Sequence, residues 1–128
     1  MGYAPGMPFA PADLAALEAT EEIRIETRAA ADAPVHRTII WVVTNGPDAF
    51  VRSVRGTSAR WYREVIAHPE LIVRVGATVL QARAVPATDP DSIARVNAGL
   101  VAKYTGIDGF EPMLVPDIFD ATLRLEPA

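Results

Sequence analysis

Thr38-Ile39-Ile40-Trp41-Val42-Val43-Thr44-Asn45-Gly46-Pro47-Asp48 is the stretch on which the fold turns. Ile39 to Val43 is apolar at every position, whereas a strand with one wet face alternates. The run predicts a main strand over Val35 to Asn45, covered on both faces at its centre. A barrel interior would cover one face, and a helix, a ligand or another subunit the other. Asn45-Gly46-Pro47-Asp48 is turn chemistry, returning the chain through Ala49 to Arg55 as the hairpin partner. In that second strand Phe50, Arg52 and Val54 share one face, and Val51, Ser53 and Arg55 the other.

Before this hairpin, residues 1–11 read as an irregular arm with three prolines and two glycines. Ala12 to Ala19 reads as a short helix, with Leu14 and Leu17 on one face. Glu22 to Arg28 alternates as a half-buried strand. After the hairpin, Ser58 is placed to cap a helix through about Ala67, with Trp61, Tyr62, Val65 and Ile66 as its apolar stripe and Pro69 as its stop. Leu71 to Val75 and Val79 to Val85 form a second hairpin around Gly76-Ala77-Thr78. Asp89-Pro90 opens a long helix, lined on one side by Ile93, Val96, Asn97, Leu100, Val101 and Tyr104 and closed by Gly106. Ile107 to Asp117 is irregular, and Ala121 to Leu125 is a last strand. Hairpin connections dominate, so the fold class is mainly β (α+β): six antiparallel strands closing into a small barrel with about three helices, in a single domain over 1–128.

The chain has 128 residues, half of them apolar, and a net charge of -4, which argues against disorder. It has no cysteine, which excludes disulfides, thiolate nucleophiles and cysteine metal sites. No apolar run approaches the roughly 20 residues of a membrane helix, and no secretory pattern follows Met1, so a soluble cytoplasmic protein is expected. The charge is unevenly spread. Between Ala33 and Arg63 one acid, Asp48, stands against Arg37, Arg52, Arg55, Arg60 and Arg63, while the other 15 acids face seven bases. An acidic protein with one basic stretch suits a compact anionic ligand better than nucleic acid.

That stretch culminates in Val51-Arg52-Ser53-Val54-Arg55-Gly56-Thr57-Ser58-Ala59-Arg60-Trp61-Tyr62-Arg63, a joint from strand to helix. Gly56 permits close backbone approach, Thr57 and Ser58 offer hydroxyls, and Arg55 and Arg60 flank the turn, a combination suited to phosphate. The alternative at this joint is a simple cap with solvated arginines. His36 and His68 stand too far apart for a metal pair; His68 reads as a helix end and His36 as a rim residue. Ser53, Ser58 and Ser92 lack a nucleophile-elbow pattern. Glu21-Glu22 reads as solvated, and Tyr104 and Phe110 as packing residues.

Thr38-Ile39-Ile40-Trp41-Val42-Val43, Phe50-Val51-Arg52-Ser53-Val54-Arg55-Gly56 and Ala59-Arg60-Trp61-Tyr62-Arg63 together resemble the FMN-binding split β-barrel superfamily, the pyridoxamine-phosphate-oxidase-like proteins. Within it the sequence is similar to a short family of undefined function allied to deazaflavin-dependent nitroreductases, from about Glu22 to Pro127. The resemblance implies a six-stranded split β-barrel and a homodimer with FMN or a deazaflavin coenzyme near the subunit interface. It implies that Thr38, Ile39, Ile40 and Trp41 line the ring, that Arg52, Ser53 and Arg55 approach the ribityl chain and phosphate, and that Gly56, Thr57, Ser58, Ala59 and Arg60 cradle the phosphate with Trp61 beneath. The implied activity is hydride transfer to a small organic acceptor, the cofactor supplying the chemistry. No catalytic residue and no metal ligand stands out. A non-catalytic binder of a flavin-like or other anionic ligand, and a dimeric barrel with a vacant site, remain the alternatives.

Overall fold

The computed structural model describes residues 8–128, so most of the expected N-terminal arm lies outside the described residues. Helix α1 (Pro11–Ala19) leads into β1 (Glu22–Thr27) and β2 (His36–Trp41). These are followed by β3 (Val43–Asn45), β4 (Asp48–Arg52), α2 (Arg60–Ala67), β5 (Glu70–Val75) and β6 (Thr78–Pro86). Helix α3 (Pro90–Tyr104) and β7 (Thr122–Pro127) complete the order. The strands make one antiparallel sheet of seven in the order β2-β1-β5-β6-β7-β4-β3.

The strand count departs from six because the long apolar strand is two. The segment quoted above breaks at Val42, and its halves sit at opposite edges of the sheet: β2 pairs only with β1, and β3 only with β4. One continuous stretch of backbone therefore joins both edges and curls the sheet into a half-barrel. Beyond the Val43↔Phe50 pair, β4 runs on to Arg52 beside β7 while β2 turns away with β1, and the seam between them stays open.

The chain by itself does not cover both faces of β2. Ile39 is 56% exposed, and Ile40 and Trp41 are only partly buried, because β2 borders the open seam. It is β4 that is covered on both sides, with Ala49 and Val51 in the barrel core and Phe50 packed among Val43, Val96, Leu100 and Tyr104 beneath α3. The barrel core is filled by alternate residues of the other strands, including Ile23, Ile25, Leu71, Val73, Val75, Leu80, Ala82, Leu123 and Leu125.

A bend leaves peptide groups without ladder partners, and burial makes that costly. At Val42 the deficit is met by the last turn of α3. The Val42 N–H donates to the Tyr104 hydroxyl at 3.3 Å, and Lys103 Nζ donates to the Val42 carbonyl at 2.7 Å and the Leu17 carbonyl at 2.9 Å. The Tyr104 proton goes to the Glu21 carbonyl at 2.5 Å. Trp41 stacks on the Tyr104 ring, centroids 4.0 Å apart. Gly99 lets α3 approach, since a Cβ there would lie 3.1 Å from Val43 Cβ. Asp89 caps α3, accepting from the Ser92 N–H at 3.0 Å. Val101, expected on the inner face, is exposed instead, the inner line running through Val96, Gly99, Leu100 and Tyr104.

Two outcomes test this arrangement. Tyr104→Phe leaves the buried Val42 N–H unsatisfied and should cost about 1–3 kcal/mol in denaturant unfolding. Burial lowers Lys103 to about 8, with Glu18 opposing. The folded state then holds fewer protons than the unfolded one above that pH, so stability should rise between pH 8 and 10. Tyr104, pushed up to about 12 chiefly by burial, opposes only at higher pH. Urea unfolding of Lys103→Met should lack the rise.

Candidate functional site

The seam opens into a cleft of about 720 Å³. One wall is β2, presenting Thr38, Ile39, Ile40 and Trp41, with Glu22 of β1 beside them as the cross-strand partner of Trp41. The opposite wall is the end of β4 and the joint beyond it, with Arg52, Ser53, Val54, Arg55, Ser58 and Ala59, then Arg60, Trp61 and Arg63 of α2. Gly109 and Met113 complete the lining. Of the residues the sequence singled out, Gly56 and Thr57 lie outside this lining. Gly56 is buried with φ +65°, the left-handed conformation that turns the chain from β4 toward α2, and Thr57 faces solvent.

The joint is built differently from the expected cap. Gly56–Ser58 is a 3-10 turn, and Ser58 Oγ donates to the Arg55 carbonyl at 2.8 Å. Helix α2 begins at Arg60 with Ala59 as its N-cap and no side-chain cap. Its expected stripe is corrected too: Trp61 and Val65 are buried and Tyr62 partly so, while Ile66 is exposed and Glu64 is buried in its place.

Arg52 is the dominant charge of the cleft and is 3% exposed. Its Nε donates to Thr122 Oγ1 at 2.7 Å, and Nη1 donates to Asn97 Oδ1 at 2.7 Å and the Met113 carbonyl at 3.0 Å. The guanidinium lies over the Phe119 ring, 4.6 Å from its centroid. All three acceptors are neutral, and Nη2 has no partner. Burial brings its pKa down to about 10, so the group stays charged at neutral pH. The adjacent Ser53 Oγ is also buried without a partner. Arg55 and Arg63 are exposed and have no ion-pair partner among the described residues, and Arg60 has only a 4.0 Å approach to Glu64. Four arginines thus line a cleft that contains one carboxylate, Glu22.

Behind α2, Glu64 Oε1 accepts from Thr27 Oγ1 at 2.7 Å, and Oε2 lies 2.7 Å from His36 Nδ1. Burial pushes this carboxyl up. The hydrogen bonds from Thr27 and His36, with the attraction of His36 and Arg60, outweigh that and hold it below the usual range. His36 therefore does not line the cleft but contacts α2 through Glu64. Arg63, Glu22, Val54, Gly109 and Met113 also line the cleft without having been assigned to a cofactor by the sequence. Arg63 lies one turn past Arg60 and was within reach of helical periodicity, whereas Gly109 and Met113 arrive by tertiary contact alone.

Among the described residues no cluster of metal-ligating side chains occurs, and no helix is long and apolar enough to cross a membrane. A family model described as "Uncharacterized protein conserved in bacteria (DUF2255)" matches residues 13–125. No curated protein matches the sequence. Among solved structures, a candidate pyridoxamine 5′-phosphate oxidase from Listeria innocua is similar at 17% identity and TM-score 0.66, covering 91% of this chain and 90% of that one. An F420-H2 dependent reductase (FDR-A) is similar at 16% identity and TM-score 0.64, covering 83% and 94%. HutZ of Vibrio cholerae, described as a heme storage protein, is similar at 15% and 0.62, covering 95% and 92%. The fold is that of the pyridoxamine-phosphate-oxidase-like split barrels, as the sequence resemblance implied.

An unsatisfied buried hydroxyl costs about 1–3 kcal/mol. Ser53→Ala should therefore leave the ligand-free protein at least as stable as the wild type, read by urea unfolding.

Proposed function

The chain belongs to the DUF2255 family, and from that footing we propose that its cleft holds a flavin-type cofactor, FMN or a deazaflavin, by its phosphate, and that the protein is an oxidoreductase acting on a small organic acceptor. The single observation that carries the reading is Arg52: a buried guanidinium with neutral partners, an idle Nη2, and the idle Ser53 hydroxyl beside it. A buried charge without a counter-ion is expensive, and a phosphate in the cleft that both residues line would supply the missing negative charge. Arg55 and Arg60 supply further cations, and Ser58 and Ala59 border the same wall.

The remaining lining suits a planar ring. Ile39, Ile40 and Trp41 offer an apolar wall, and Trp41 is braced from behind by Tyr104. When bound, the cofactor supplies hydride chemistry. The protein's own part is to anchor the anion and orient the ring against β2, with the buried Met113 as a further apolar contact. Ile39 and Val54 are more than half exposed at the cleft. A second copy of the chain in a homodimer would cover them and shield the ring.

A non-catalytic binding role is the second reading, favoured by a lining that offers one carboxylate and no histidine for proton transfer. Turnover separates the two. The reduced cofactor should be oxidised by a quinone or nitroaromatic in the presence of the protein for an enzyme, and simply retained by a binder.

Titration by fluorescence tests the anchor. FMN should bind at least about tenfold more tightly than riboflavin, roughly one charged hydrogen bond. Arg52→Gln should abolish that preference. Equal affinities for FMN and riboflavin in the wild type would remove the phosphate assignment.

A further inference from the structure

We infer that Glu64, which does not line the cleft, is a positioning residue that sets Arg60 and the α2 wall against β2, an inference resting on the phosphate-anchoring role of the cleft. Helix α2 carries three of the lining residues, Arg60, Trp61 and Arg63, and the facing wall is the edge strand β2. An edge strand is held by its ladder on one side only. Something must fix the separation of the two walls for a guanidinium to meet an anion at hydrogen-bond distance.

Glu64 is placed to do this. Its carboxylate is 8% exposed and reaches three elements at once. Thr27 ends β1, His36 begins β2, and the two are direct cross-strand partners. Glu64 takes one hydrogen bond from Thr27 on Oε1 and faces His36 Nδ1 with Oε2, so helix, first strand and edge strand converge on one group. A carboxylate only accepts, so the imidazole presents its proton at Nδ1. One turn earlier, Arg60 Nε lies 4.0 Å from Oε1. That approach engages the Nε edge and leaves the two Nη groups without a protein partner among the described residues. The other polar tether of α2, Tyr62 to the Asp120 carbonyl at 3.3 Å, leads away from β2. A carboxylate merely solvated on α2 would need neither burial nor two partners on separate strands.

The test is the ratio of FMN to riboflavin affinity, which isolates the phosphate contribution from the fit of the ring. Glu64→Gln preserves shape and can still accept from Thr27, but loses the charge facing His36 and Arg60. It should lower FMN affinity about fivefold, the scale of one weakened charged contact, with riboflavin affinity changed less than about twofold. Thr27→Val removes one bond from the set without touching α2 and should move the ratio in the same direction. It carries the test if Glu64→Gln does not fold. A ratio unchanged from a discriminating wild type would overturn the role of Glu64 and leave the cofactor reading intact. Parallel loss of both affinities would mark Glu64 as merely structural. A wild type without preference for FMN would remove the cofactor reading and this inference with it.

Discussion

The peptide of Val42 governs this molecule. A sheet that curls until one strand serves both its edges must leave that strand somewhere, and the peptide at the point of departure cannot pair with either neighbour. Here the N–H goes to a tyrosine hydroxyl and the carbonyl to a lysine ammonium, both from the last two residues of α3. The long helix thereby closes the half-barrel and braces Trp41 with the same tyrosine ring. The seam on the other side of the bend is a consequence of this geometry. With β2 diverging from β4, the end of β4 lacks a partner strand there, and the space becomes a cleft walled by edge strand and helix.

A buried cation at the base of such a cleft works against folding. Arg52 donates hydrogen bonds to Thr122, Asn97 and the Met113 carbonyl and lies over the Phe119 ring, yet none of these carries negative charge. Asp48, the one acid in the basic stretch, is engaged by Arg95 at 2.7 Å and cannot neutralise it. The protein is acidic overall, and still its cleft is cationic, because most acids lie on elements that do not reach the seam. Such an arrangement stores unfavourable electrostatics, which an anion bound as proposed would release.

Much of the architecture was legible because its signals are local. Gly76 between two alternating runs marks the β5–β6 hairpin, and Asp89-Pro90 marks the start of α3. The bend at Val42 was not legible: Val-Val within an apolar run carries neither glycine nor proline, and what permits the break is a tyrosine 62 residues away. Ser58 misled for a related reason, since a hydroxyl before a helix can close a 3-10 turn as readily as cap. Most of the candidate site could be read, the joint because arginines crowd it and Thr38 to Trp41 through the resemblance, whereas Gly109 and Met113, which arrive by tertiary contact, could not. Glu64 looks like a solvated helix acid, and only the cross-strand pairing of Thr27 with His36 gives it a buried seat.

The same barrel accommodates neighbours described as a reductase and as a heme storage protein, so the fold does not choose the ligand. The lining side chains do. Haem iron is held by histidine, cysteine, methionine or tyrosine. In this cleft His36 is not among the lining residues and is engaged by Glu64, the chain has no cysteine, and Met113 is left as the one side chain of ligating type. The four arginines serve any anion, a haem propionate as well as a phosphate, so it is the shortage of iron ligands and not the charge that weighs against haem. The proposed ring with a phosphate tail would meet in this cleft charge for the tail and an apolar strand for the ring.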